Sequence, residues 1–222
     1  MVDAEKFWDG VAASYVKGKI GDMSSYDMTL ERAAAHLKPE DRVIELGCGT
    51  GMTARILAPG VKTYIASDIS AEMFAQGQRT AREHPSNINF AKGDTSQVLG
   101  EQKDLNAVLA FNVLHLLKDP GDAIRAAHTA LKPGGVFISK TQCNADGFQL
   151  FHGRTWVLRL MMWIALPVMQ LVGKAPYVKL RSVQAQEALF TENGFEIIES
   201  GDYPAQPPRR FIVARRVSQK AR

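Results

Sequence analysis

Apolar residues recur at helical spacing at Leu30, Ala33, Ala34 and Leu37, and Lys38-Pro39 stops the helix they predict. The next run, Arg42-Val43-Ile44-Glu45-Leu46, is short, β-branched and bounded by glycine, the pattern of a strand buried in a parallel sheet. From there the pattern alternates: helix over 52–58, strand over 62–69, helix over 71–82 with Ser70 as its N-cap, then strands over 87–91 and 106–111. Asp119-Pro120-Gly121-Asp122 is the clearest helix start, with a capping acid, a proline at the first helical position and a second acid in the first turn. That helix runs to Leu131, and Lys132-Pro133-Gly134-Gly135 ends it before a strand over 136–141. A helix over 183–193 and two closing strands over 195–200 and 210–216 complete the series. The short Pro204-Ala205-Gln206-Pro207-Pro208 connection favours an antiparallel pair at the sheet edge. Strands alternating with helices at this rhythm imply right-handed crossovers and an α/β fold whose sheet is covered on both faces.

One stretch, 142–182, breaks the rhythm. Its core, 156–172, is strongly apolar, yet shorter than the roughly 20 residues a bilayer span needs, and it carries Arg159 and Pro167. Both flanks must return to one sheet edge, which a single crossing forbids. Three readings stay open: a cap over a pocket, with Met161, Met162 and Met169 as adaptable walls; a peripheral membrane-surface helix, with Trp156 and Trp163 on one face; or a homodimer interface.

Composition narrows the class. The 222 residues, 45% hydrophobic and 23% charged, suit one large domain over 1–222 and argue against disorder. The net charge of +4 is scattered rather than concentrated in an aromatic-studded stripe, so no nucleic-acid partner is expected. Two cysteines, Cys48 and Cys143, make no disulfide or zinc framework, and His36, His84, His128 and His152 lack metal-ligand spacing. Asp3 and Glu5 stand where a signal peptide would need positive charge; a cytoplasmic protein is expected.

The candidate chemistry sits at strand ends. The first predicted strand runs into Gly47-Cys48-Gly49-Thr50-Gly51 and a helix, a turn whose glycines let the backbone approach a ligand at the carboxyl edge of the sheet. Asp68 closes the second strand, 17 positions after Gly51, where a carboxylate can accept from both ribose hydroxyls. Gly93-Asp94-Thr95 and Phe111-Asn112 close the third and fourth. A dinucleotide fingerprint would need glycine where Met52 stands.

With Glu45 before it, the segment 43–51 resembles the first motif of class I S-adenosylmethionine-dependent methyltransferases, and Leu131-Lys132-Pro133-Gly134-Gly135 is similar to the turn before that family's fifth strand. The resemblance covers about 40–141 and the final helix and strands. It implies a Rossmann-like seven-stranded sheet in the order 3-2-1-4-5-7-6 with the last strand antiparallel, and S-adenosylmethionine as cofactor. On this resemblance Gly47, Cys48, Gly49 and Gly51 would pack on the cofactor's amino-acid part and ribose, with Glu45 anchoring the site. Asp68 would hold the ribose hydroxyls, Ile69 the adenine face, Asp94 and Thr95 the adenine edge. Asn112 would border the reacting methyl. The segment 7–15 is similar to the lid of small-molecule members, within N-terminal lid helices over 1–38, and Tyr15 would close over the cofactor.

The sulfonium makes the methyl electrophilic by itself, so a base is useful only if the acceptor must lose a proton. His115 is the candidate, although it could simply orient its loop. The expected activity is methyl transfer to a small hydrophobic or lipid-like acceptor. The alternative is a non-catalytic cofactor sensor or scaffold using the apolar segment for a partner.

Overall fold

The computed structural model describes residues 3–18, 21–80, 85–144, 175–205 and 208–217. Helices α1 (Ala4–Tyr15) and α2 (Met23–Ala34) lead into strand β1 (Arg42–Leu46). Then follow α3 (Met52–Leu57), β2 (Thr63–Asp68), α4 (Ala71–Thr80), β3 (Ile88–Lys92), α5 (Thr95–Gly100), β4 (Leu105–Phe111), α6 (Pro120–Ala130) and β5 (Leu131–Gln142). Helix α7 (Val183–Thr191), β6 (Phe195–Asp202) and β7 (Arg209–Arg216) close the fold. The seven strands form one sheet in the order β3-β2-β1-β4-β5-β7-β6. The first five are mutually parallel, and β7 runs antiparallel to both β5 and β6.

Alternation along the strands explains why the sheet is covered twice. Ile44 and Leu46 of β1, Val108 and Ala110 of β4, and Ile212 and Ala214 of β7 face one core, with Leu99, Ile124 and Phe190 from α5, α6 and α7. Val43, Ala107, Leu109, Phe211 and Val213 face the other, with Leu30, Ala54 and Phe74 from α2, α3 and α4. Strands buried on both faces read as continuous apolar runs, which is the pattern the sequence carries.

Three departures from expectation matter most. Helix α2 ends at Ala34 rather than reaching Leu37, because the chain there tightens into i→i−3 bonds, from the His36 N–H to the Ala33 carbonyl and from the Leu37 N–H to the Ala34 carbonyl; Leu37 still packs on the second core from the loop. Strand β5 begins at Leu131, which pairs with Leu105 before an irregularity absorbs Lys132-Pro133-Gly134-Gly135 and pairing resumes at Val136. The short helix α5 arises where only a strand end was expected, its N-terminus capped by Asp94 accepting from the Ser96 N–H at 3.0 Å.

The ends of the irregular stretch after β5 meet: Cys143 bridges Arg181, and the Asn144 N–H donates to the Arg181 carbonyl at 2.8 Å. Residues 143–144 and Arg181 thus lie side by side next to the end of β5. The apolar segment 156–172 lies outside the described residues. Among those described, no helix is long and apolar enough to cross a membrane.

Candidate active site

A cavity of about 980 Å³ opens along the carboxyl ends of β1, β2, β3, β4 and β5 and reaches the start of β7. Ten of the twelve site residues expected from the sequence stand on its wall: Tyr15, Glu45, Gly47, Cys48, Gly49, Asp68, Ile69, Asp94, Thr95 and Asn112. Gly51 and His115 do not.

The glycine turn is held by specific contacts. Gly47, Gly49 and Gly51 all adopt left-handed backbone, at φ 63°, 55° and 71°. A side chain on Gly47 would meet Val113 at 2.7 Å, and one on Gly51 would meet Phe74 at 2.8 Å, so these two glycines let the connection after β4 and helix α4 close against the turn. Gly49 differs, since a Cβ there would approach nothing nearer than Met73 at 3.9 Å; its backbone faces open cavity. Helix α4 comes closer still. A Cβ on Gly77 would lie 1.9 Å from the Thr50 carbonyl oxygen, so this glycine sets how tightly α4 braces the turn. An isolated glycine inside a helical pattern was the available signal for that role.

Asp68 is buried and ties the turn to the second strand. Its Oδ2 accepts from the Gly49 N–H at 2.8 Å and its Oδ1 from the Ser70 N–H at 2.9 Å. Burial raises its pKa, opposed by these backbone donors. Each carboxylate oxygen keeps lone-pair capacity for a second donor. Asn112 sits at the end of β4 in left-handed backbone, φ 57°, with its N–H donating to the Lys140 carbonyl at 2.8 Å; asparagine tolerates that conformation better than other side-chain-bearing residues.

Glu45 is fully enclosed, with the Tyr64 hydroxyl donating to its Oε2 at 2.9 Å. Burial pushes its pKa up to about 8; the Tyr64 hydrogen bond opposes the shift and the Asp68 charge adds to it. The Cys48 thiol is driven well above its usual range by the same burial, which leaves it inert, and the residue contributes through its backbone, its N–H donating to the Ser67 carbonyl at 2.9 Å.

Helix α1 lies against α4 over the cavity mouth. Asp9 accepts from the Ser70 hydroxyl, and Lys92 pairs with Glu5 at 2.6 Å. Tyr15 is 56% exposed and meets Trp8 edge-on at 6.3 Å between ring centroids, at the rim rather than folded over the site.

His115 occupies a 3-10 turn at Leu114–Leu116 behind the wall, its carbonyl accepting from the Lys179 N–H at 2.8 Å. Burial, reinforced by Arg209, lowers its pKa to about 4, and its Nδ1 has no hydrogen-bond partner among the described residues. An imidazole that weakly basic is a poor proton acceptor near neutral pH.

Two cations that sequence reasoning missed line the far end of the cavity: Lys140 of β5 and Arg209 of β7. Tyr64 was missed as well. Nothing local marks any of these residues, because each acquires its role from a partner on another strand or helix.

The cavity wall near the glycine turn carries the Asp68 and Asp94 carboxyls, beside a Glu45 carboxyl that burial keeps largely protonated, and the open face at Gly49 leaves room for a ligand against the backbone. That combination fits a cationic adenosyl compound: carboxylates for ribose hydroxyls and for positive charge, and a side-chain-free turn for close approach. Fold and site together define the class I, Rossmann-like methyltransferases, whose cofactor is S-adenosylmethionine.

Comparison with known proteins agrees. A family model described as a methyltransferase domain matches residues 20–200, and the chain belongs to that family. Over 214 residues it is 24% identical to a polyketide synthase-nonribosomal peptide synthetase of Aspergillus clavatus, a match that covers 89% of this chain and 5% of the synthetase. The chain spans 4–5% of the length of the first curated relatives it matches. It superposes with a TM-score of 0.73 and 16% identity on a chain of the Haloferax volcanii complex between the Trm112 methyltransferase activator and a methyltransferase, covering 99% of this chain and 100% of that one. Magnesium protoporphyrin IX methyltransferase of Synechocystis PCC 6803, solved with bound S-adenosylhomocysteine, gives 0.67 at 15% identity, covering 96% and 97%.

Proposed function

We propose that the chain transfers the methyl group of S-adenosylmethionine to a small, largely apolar acceptor held at the β4–β5–β7 end of the cavity. The observation that carries this reading is the division of one cavity between an acidic, glycine-walled end at β1–β3 and a wall of Phe111, Val113, Leu116, Leu117 and Tyr177 beyond β4.

The bound cofactor supplies an electrophilic methyl on a sulfonium. The chain's part is to hold and exclude. Gly47, Cys48 and Gly49 offer backbone to the amino-acid part and ribose, and Asp68 accepts from the ribose hydroxyls while keeping the turn in place. Ile69, Asp94 and Thr95 bound the adenine. Glu45 anchors the floor beneath the turn, and Asn112 marks the boundary where donor and acceptor meet. Tyr15 closes the rim by a movement of α1. Such positioning accounts for several kcal/mol of a methyl-transfer barrier without a base. The cap expected over 142–182 falls mostly outside the described residues; its described ends meet beside β5, where Cys143 bridges Arg181.

The test is release of S-adenosylhomocysteine from purified protein given S-adenosylmethionine and a panel of hydrophobic alcohols, phenols, amines and acyl thioesters. Turnover with at least one apolar acceptor, and none with polar analogues of equal reactivity, is the expected result. Cofactor binding without turnover on any acceptor would return the protein to the sensor or scaffold class.

A further inference from the structure

The acceptor end of the cavity carries two cations that form no ion pair with a carboxylate among the described residues. Lys140 pairs with Phe211 across the β5–β7 ladder and Arg209 pairs with Gln142, so Lys140 and Arg209 are diagonal neighbours on one face of the antiparallel pair. Side chains in that relation stand about 7–8 Å apart at their bases, within mutual reach for residues this long. Both line the cavity.

Lys140 is only 4% exposed. Its ammonium donates to the Ser25 carbonyl at 3.0 Å, the Ser25 hydroxyl at 2.9 Å and the Thr29 hydroxyl at 2.6 Å, all neutral acceptors on α2. The Arg209 guanidinium makes no hydrogen bond or ion pair among the described residues, and neither cation appears in a salt bridge there. Asp22 is the acid that Lys140 senses, and its Oδ1 is engaged by the Ser25 N–H at 3.0 Å. Burial first and Arg209 second lower the pKa values of both Lys140 and His115, and the shared Arg209 contribution places the three basic groups in one electrostatic neighbourhood. Burying an ammonium that has no ion-pair partner beside a guanidinium is costly, and an anion bound in the cavity against Arg209 would offset that cost.

We propose that this end of the cavity is an anion-binding subsite, in which Arg209, backed by the field of Lys140, holds a carboxylate or phosphate head group of an otherwise apolar acceptor. The inference rests on the methyltransferase reading above and narrows its acceptor class. Arginine is suited to the contact because its planar fork matches either oxyanion with two parallel hydrogen bonds. Lys140 has its three protons already engaged, so it acts as a fixed charge rather than a direct ligand. Val113, Leu116, Leu117 and Tyr177 take the tail of the same molecule.

The experiment uses the full chain saturated with S-adenosylhomocysteine and measures binding of octanoate, octyl phosphate and octanol by calorimetry. One or both anions bind at least ~10-fold more tightly than octanol, and whichever is preferred identifies the head group. Arg209→Gln abolishes that preference while leaving octanol and S-adenosylhomocysteine affinities unchanged; Arg209→Lys restores part of it. Lys140→Met weakens the anion further, provided its S-adenosylhomocysteine affinity certifies an intact fold. Equal binding of all three probes, no binding of either anion, or an equal loss of anion and octanol in Arg209→Gln overturns the subsite. Failure of the wild-type protein to bind S-adenosylhomocysteine removes both this inference and the function it rests on, whereas normal cofactor binding without anion preference removes this one alone.

Discussion

The two ends of the cavity are built from opposite materials. At the β1–β3 end, backbone dominates: three left-handed glycines, N–H groups aimed at Asp68, and carboxylates close to one another. At the β4–β5–β7 end, side chains dominate: an apolar wall and two cations, one hydrogen-bonded only to neutral oxygens. A backbone-built end is shaped by local sequence and tolerates little change. An end lined by side chains on strands far apart in sequence can be retuned one residue at a time, as befits the part of an enzyme that chooses its acceptor.

The contrast breaks most directly at Gly77. Gly77→Ala drives a methyl into the Thr50 carbonyl, 1.9 Å from the new atom, and neither α4 nor the glycine turn can yield without disturbing the other. A loss of about 3 kcal/mol in stability is expected, with cofactor binding lost in parallel; urea denaturation and calorimetry measure the two.

Glu45 gives the next effect, and it is pH-dependent. Its folded pKa of about 8 lies above its ordinary value of 4.5, so folding favours the protonated form. That stabilisation is complete below about pH 4.5 and lost as pH rises through 8, on the order of 2–4 kcal/mol across the window. Thermal melts of the ligand-free protein between pH 5 and 8.5 follow this decline, and Glu45→Gln flattens it. A wild-type melt that is flat over that range would show Glu45 already ionised.

Asp68→Ala removes the acceptor of the Gly49 and Ser70 N–H groups, and S-adenosylhomocysteine affinity falls by about 1–3 kcal/mol. Asp68→Asn separates the two contributions: one amide oxygen can still hold Gly49, so the turn survives better than the affinity. Unchanged affinity in both variants would take Asp68 out of the site. The smallest effect belongs to the other end, where His115→Gln changes turnover by less than about fivefold, because an imidazole with pKa near 4 behind the cavity wall transfers no proton. A loss of ~100-fold, the low end of a general base's contribution, would reinstate His115 as the base.

The same division explains what could be read in advance. Asp119-Pro120 starts α6 and Gly47-Cys48-Gly49-Thr50-Gly51 joins β1 to α3 because capping and turn chemistry act within a few residues, so their signals lie in contiguous sequence. Helix α5 escaped notice since its cap, Asp94, also looked like a ligand residue and six residues carry no clear period. Tyr64 finds Glu45 across 19 positions and Lys140 finds Ser25 across 115, separations over which no local pattern survives.

By itself the sequence determined the alternation of strands and helices, the sheet covered on both faces and the glycine turn with its acidic companions, because hydrophobic period and backbone conformation are properties of short stretches of chain. Only the tertiary structure decided which charges are buried, that Glu45 meets Tyr64, that His115 stands behind the wall, and that Lys140 and Arg209 share a face. Those facts depend on strand register: a shift of one residue between β5 and β7 would turn Arg209 to the opposite side of the sheet from Lys140.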